Sequence, residues 1–215
     1  ALSSETLGDR NVAVGSNALN AQNNTSDVDA YNVAVGYEAG KSVSTGTANT
    51  LIGGLTGDAL TTGGQNVAIG YAALTNEDGH GRNVAVGFET LNQQNAGADA
   101  YNTAIGYQAG YAVTTGVQNT LIGGLAGDAI TEGQRNVAIG YQALSSEDAH
   151  GRSVAVGYTS LFSQNAGTDS YNTAVGYASG INVTTGVKNT LIGGNAGDAL
   201  TIGNNNIAIG HKALS

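Results

Sequence analysis

A five-residue core, Asn-(Val/Thr/Ile)-(Ala/Leu)-(Val/Ile)-Gly, recurs twelve times in this chain of 215 residues, and that recurrence limits the fold more than any other feature. The cores begin at Asn11, Asn32, Asn49, Asn66, Asn83, Asn102, Asn119, Asn136, Ser153, Asn172, Asn189 and Asn206. Successive starts lie 21, 17, 17, 17, 19, 17, 17, 17, 19, 17 and 17 residues apart, so from Asn32 onward three short units and one longer unit repeat every 70 residues. The first copy differs by two extra residues within 20–30, which are expected to form a longer loop.

Within each core the β-branched residues stand two apart, as in Val67-Ala68-Ile69. That spacing puts them on one face of a short strand and the alanine on the other. Glycine closes every core, at Gly15 and then Gly36, Gly53, Gly70, Gly87, Gly106, Gly123, Gly140, Gly157, Gly176, Gly193 and Gly210. This suits a corner that needs positive φ or close backbone approach. A second short segment such as Tyr141-Gln142-Ala143-Leu144 follows, and a stretch rich in Gly, Asn, Thr and Asp completes the unit. Helical spacing is absent, and the 34 glycines would cost about 1 kcal/mol each inside helices. Each unit is therefore read as one coil of a parallel β-solenoid, with residues 1–215 forming a single all-β repeat segment. Twelve coils at the strand spacing make a rod of roughly 58 Å.

The recurrent asparagines, Asn32, Asn49, Asn66, Asn83, Asn102, Asn119, Asn136, Asn172, Asn189 and Asn206, are expected to form a structural ladder. Their side-chain amides can bond to the coils above and below. Ser153 is expected to weaken one step. The two Val/Ile of each coil, with about one Leu, are expected to be fully buried. The other face, carrying Ala34, Ala68 and Ala85 with Leu51, Leu121 and Leu191 every fourth coil, is then expected to pack on sister chains about a three-fold axis. The chain opens Ala1-Leu2-Ser3-Ser4-Glu5, in the phase of Ala143 to Glu147, and closes Ala213-Leu214-Ser215 in that phase too. With no capping unit in sight, it reads as part of a longer fibre or as a protomer that stacks end to end.

Asn-Val-Ala-Val-Gly-Tyr-x-Ala-Leu and its variants resemble the head repeats of trimeric autotransporter adhesins, the YadA-like head, and related repeats of phage tail fibres. The resemblance covers essentially the whole chain. It implies a left-handed β-roll, three chains side by side, an extracellular setting on a cell or virion, and surface attachment to a glycan or host receptor. The expected function is a non-catalytic structural fibre segment for presentation and adhesion. The alternative is a self-polymerising extracellular filament built by end-to-end stacking.

Other functions fit less well. Sixteen acidic residues against seven Lys plus Arg give a net charge of −9, which disfavours nucleic-acid binding. No apolar run reaches the roughly 20 residues of a membrane helix. Cysteine is absent, which removes disulfides and thiolate chemistry. Tyr37, Tyr71, Tyr107, Tyr141, Tyr158 and Tyr177, with Phe88 in the same row, follow the corner glycines and are candidate glycan contacts. Stacking on neighbouring coils or at chain interfaces is their simpler role. Tyr31, Tyr101 and Tyr171 form a second set before the asparagines. Glu77-Asp78-Gly79-His80-Gly81-Arg82 returns as Glu147-Asp148-Ala149-His150-Gly151-Arg152. Local charge pairing on a surface loop accounts for that pattern, so no metal and no cofactor is expected. Asp58, Asp128 and Asp198 occur once per 70 residues, too sparsely for a calcium-binding β-roll, and are read as turn residues. Repeated rather than unique acidic groups argue against a catalytic centre, and interrupted Thr rows argue against an ice-binding face.

Overall fold

The computed structural model describes residues 1–4, 10–24 and 29–215. It is an all-β parallel solenoid. Twelve strands of three residues each, from β1 (Val12–Val14) to β12 (Ile207–Ile209), form one sheet in strict sequence order. Every strand pairs in parallel with the next copy of itself: Ala34 lies beside Leu51, Leu51 beside Ala68, and Ala85 beside Ala104 across the 19-residue unit. Register is therefore held whatever the length of the intervening loop. The longer first loop falls partly on residues 25–28, and the opening match extends to Glu5; both lie outside the described residues.

Tight corners make so short a coil possible. The core glycines adopt φ between +125° and +142°. A Cβ on Gly36 or Gly70 would be driven into the carbonyl of the corner glycine one coil on, Gly53 or Gly87. Besides a corner four residues after each core glycine that is either glycine (Gly40, Gly57) or leucine (Leu74, Leu144), two further corners use left-handed residues that are never glycine. One lies two positions after each glycine, as at Glu38 and Gln142, and one immediately before each Asn, as at Arg82 and Lys188. Tyr141 to Leu144 accordingly forms a turn, with positive φ at Gln142 and Leu144, rather than extended chain.

The asparagine ladder runs through the backbone more than from amide to amide. Asn49 Oδ1 accepts from the main-chain N–H of Asn66 at 3.0 Å, and Asn119 Oδ1 accepts from that of Asn136 at 2.9 Å. The other end of the side chain donates to a carbonyl 14 residues ahead: Asn32 to Gly46 at 2.7 Å, Asn119 to Gly133 at 2.8 Å. Each buried Asn thus joins strand to returning loop as well as coil to coil. At Ser153 the chain of bonds is relayed rather than merely weakened. Its N–H still donates to Asn136 Oδ1, but its shorter side chain meets Ser170 Oγ at 2.5 Å, and Ser170 Oγ accepts from the N–H of Asn172.

The two faces of the sheet are the reverse of the sequence expectation. Ala34, Leu51, Ala68, Ala85, Leu121 and Leu191 are fully buried inside the coil, and the flanking Val, Thr and Ile point outward. Volume explains the inversion. Side chains from the other walls of a 17-residue coil already fill its bore, leaving room behind the sheet for alanine alone. Leucine fits only where the adjoining corners are glycine: Leu51 packs over Gly40 and Gly57, and Leu121 over Gly110 and Gly127. In the intervening coils the corner position carries Leu74, Leu91, Leu144 or Leu161, and the strand carries Ala. This exchange of one large side chain between two walls generates the 70-residue period.

Two outcomes test this packing. Leu121→Ala should lower stability by about 3–5 kcal/mol, near the top of the range for such truncations, because the flanking glycines cannot fill the space. Asn119→Ala leaves the N–H of Asn136 and the carbonyl of Gly133 without these partners and should cost about 2–4 kcal/mol. Urea unfolding followed by circular dichroism at fixed protein concentration checks both.

Candidate functional site

Outward-facing Val, Thr and Ile form the most prominent surface. One column runs Val33, Thr50, Val67, Val84, Thr103 and onward; the other runs Val35, Ile52, Ile69, Val86, Ile105 and onward. The side chains are half-exposed, with Ile52, Ile105 and Ile192 each at 38%. The stripe is two side chains wide and roughly 50 Å long at the strand spacing. Thr50, Thr103, Thr120, Thr173 and Thr190 interrupt the first column, while the second is Val or Ile in every strand. The strip's two aligned columns follow from the invariant register.

The borders of this strip differ chemically. The row just before the asparagines contains Arg10, Arg82, Arg135, Arg152 and Lys188, five of the seven cationic residues in the chain. Three recurrent clusters stand there. Arg82 bonds to Asp99 at 2.5 Å and lies 5.3 Å from the ring centre of Tyr101. Arg10 with Asp29 and Tyr31, and Arg152 with Asp169 and Tyr171, repeat the arrangement. The second set of tyrosines therefore belongs to these clusters.

On the opposite border stand the residues that follow the corner glycines. Tyr71, Phe88 and Tyr107 stack at 5.6 and 5.5 Å, and Tyr141, Tyr158 and Tyr177 stack at 5.6 and 5.3 Å. Gly54, Gly124 and Gly194 interrupt the row, and Tyr37 stands beyond the first of them. Within each stack the rings cover one another's faces, which are the surfaces a sugar would use, and leave edges and hydroxyls outward. Ring faces remain open chiefly beside the glycines, where Tyr37, Tyr107 and Tyr177 are 57%, 54% and 60% exposed against 41% for Phe88.

The Glu-Asp-x-His loops are placed differently from the sequence expectation. Glu77 and Glu147 are not surface residues; both are fully buried, whereas Asp78 and Asp148 are exposed. Each glutamate occupies an interior column that otherwise reads Gln22, Val43, Leu60, Gln94, Val113, Ile130, Gln164, Val183 and Leu200. Burial pushes both carboxyls above the usual glutamate range, opposed by the neighbouring His80 or His150 and, for Glu147, by a 2.9 Å bond from Gln164 Nε2. The apolar period of 17 along this column was the available signal that these acids lie inside.

Asp58, Asp128 and Asp198 are all partly buried, and burial raises the carboxyls of Asp58 and Asp128. Asp128 accepts a bond from Ser145 of the next coil. No enclosed pocket occurs among the described residues, and no helix is long and apolar enough to cross a membrane. Comparison with protein-family models, curated proteins and solved structures returns no match.

A carboxyl whose pKa is higher in the folded than in the unfolded chain holds its proton more tightly when folded. Its contribution to stability is present below the unfolded value, about 4.3 for glutamate, and is lost as pH rises through the folded value. In chelator-containing buffer the double variant Glu77→Gln, Glu147→Gln should therefore be more stable than the wild type at pH 8. The difference should shrink towards pH 4, as read from urea midpoints across that interval.

Proposed function

We propose that this chain is a segment of a trimeric, non-catalytic fibre that works at an extracellular surface by length and presentation, with attachment as its purpose. The observation that carries the reading is the outward, half-exposed Val/Thr/Ile strip held in register along the sheet. Three copies turning this strip, rather than the alanine face, toward a common axis would complete its burial. Finishing two half-exposed β-branched side chains is worth about 1–3 kcal/mol per coil, gained again at every coil.

The two borders support a rotational arrangement. In a closed three-fold ring the contact is heterologous, so one border of each chain meets the opposite border of the next. Here that brings a row of tyrosines and Phe88 against a row rich in Arg, Lys and Gln, a pairing that favours cation–π contact. A purely end-to-end filament would leave the strip in water. Ring faces beside Gly54, Gly124 and Gly194 are the part of the tyrosine row best suited to a glycan.

Sedimentation equilibrium should give three times the chain mass. Ile122→Asp with Ile139→Asp, on the outward column, should yield monomers that keep the β circular dichroism. A wild type that stays monomeric at tens of micromolar, or a trimer indifferent to both charges, would overturn the assembly. Binding of the wild-type rod to a glycan array tests attachment separately, and silence across the array leaves a spacer.

A further inference from the structure

The paired Glu-Asp-x-His loops carry an inference that is independent of the fibre reading. We propose that Glu77, Asp78 and His80 bind one divalent transition-metal ion of the zinc class, and that Glu147, Asp148 and His150 bind a second. In each loop one donor atom from each of the three residues lies within 4.8 Å of the other two.

Unsatisfied buried atoms point to the ion. Glu77 Oε2 and Glu147 Oε1 are buried without a hydrogen-bond partner, as are Nδ1 of His80 and Nδ1 of His150. An unpaired polar atom in such a place costs about 1–3 kcal/mol, and each loop holds two. His80 Nδ1 stands 3.7 Å from Glu77 Oε1, and His150 Nδ1 stands 4.0 Å from Glu147 Oε1. These separations are too long for a hydrogen bond. They exceed by only a few tenths of an ångström the separation of about 3.4 Å between donors held at about 2.1 Å by a tetrahedral ion.

The surroundings are built to hold the loop. The main-chain N–H of Thr61 donates to the carbonyl of Asp78, and that of Thr131 to the carbonyl of Asp148, at 2.5 and 2.6 Å. Glu77 Oε1 accepts from the N–H of His80 at 3.2 Å, which sets the carboxylate beside the imidazole. Gln164 supports Glu147 in the manner of an outer-shell partner. Access is open, since the imidazoles are one-third exposed and the aspartates face solvent. One imidazole with two carboxylates selects a zinc-like ion over calcium, which takes oxygen ligands. Three protein ligands leave coordination for water. The same constellation appears twice, four coils and roughly 19 Å apart along the rod.

The test is calorimetric titration of chelator-treated protein with zinc chloride. Two ions should bind per chain, His80→Gln should leave one, and His80→Gln with His150→Gln should leave none. His211→Gln, which alters the only other imidazole in the chain, should leave both. Absence of binding at millimolar zinc overturns the proposal, as does retention of two ions by the double variant; the first result would mean that packing alone sets the loop geometry. Should the double variant not fold, imidazole nitrogen spectra of the wild type decide. Zinc must shift His80 and His150 and spare His211, and the opposite pattern refutes the site.

Discussion

Every part of this molecule depends on each residue having a copy of itself one coil away. Parallel pairing in unbroken register gives the strands their hydrogen bonds, and the asparagine side chains carry that register into the returning loops. Because a slip of one residue would turn the whole sheet inside out, the bond from each Asn Oδ1 to the next N–H acts as an index mark as well as a stabiliser. Where the mark is lost, at Ser153, a second serine restores the connection. The same repetition turns one side chain into a row. Single apolar, aromatic or cationic positions become the strip and its two borders.

The interior obeys a conservation of volume. Leucine stands on the strand only where the corner of its own coil and that of the preceding coil are glycine, as Gly110 and Gly127 are for Leu121. Polar Glu77 and Gln94 enter the third wall in the coils whose corner position carries Leu74 and Leu91. The buried carboxyl oxygens of Glu77 and Glu147 that lack a hydrogen-bond partner are the geometric feature from which the metal proposal arises.

Much of this architecture could be read from the sequence. The spacing of the cores gave the number of strands, their parallel order, the glycine corners and the 70-residue period, because those depend on local geometry that repeats. Orientation was less accessible. A spacing of two says that Val67 and Ile69 share a face and Ala68 has the other, but not which face looks inward. The customary placing of β-branched residues inside failed here, since the capacity of the bore is set by all walls together. Reading residues 17 or 19 apart as columns would have shown that Leu51 alternates with glycine corners, and that Glu77 stands among Val43, Leu60 and Val113. The Arg–Asp–Tyr clusters were hidden for another reason: each Arg lies 17 to 21 residues from its Asp and Tyr and meets them only when coils stack.

Gly97 and Gly167 occupy the two-residue enlargements of the longer coils, and nothing lies within 4 Å of where a side chain would begin. The chain returns to register immediately afterwards, at Tyr101 and Asn102 and again at Tyr171 and Asn172. Length is thus free to vary at these bulges without cost to the neighbouring coils. They are natural ports on an otherwise closed lattice, where a foreign peptide could be spliced and displayed at regular stations along the shaft.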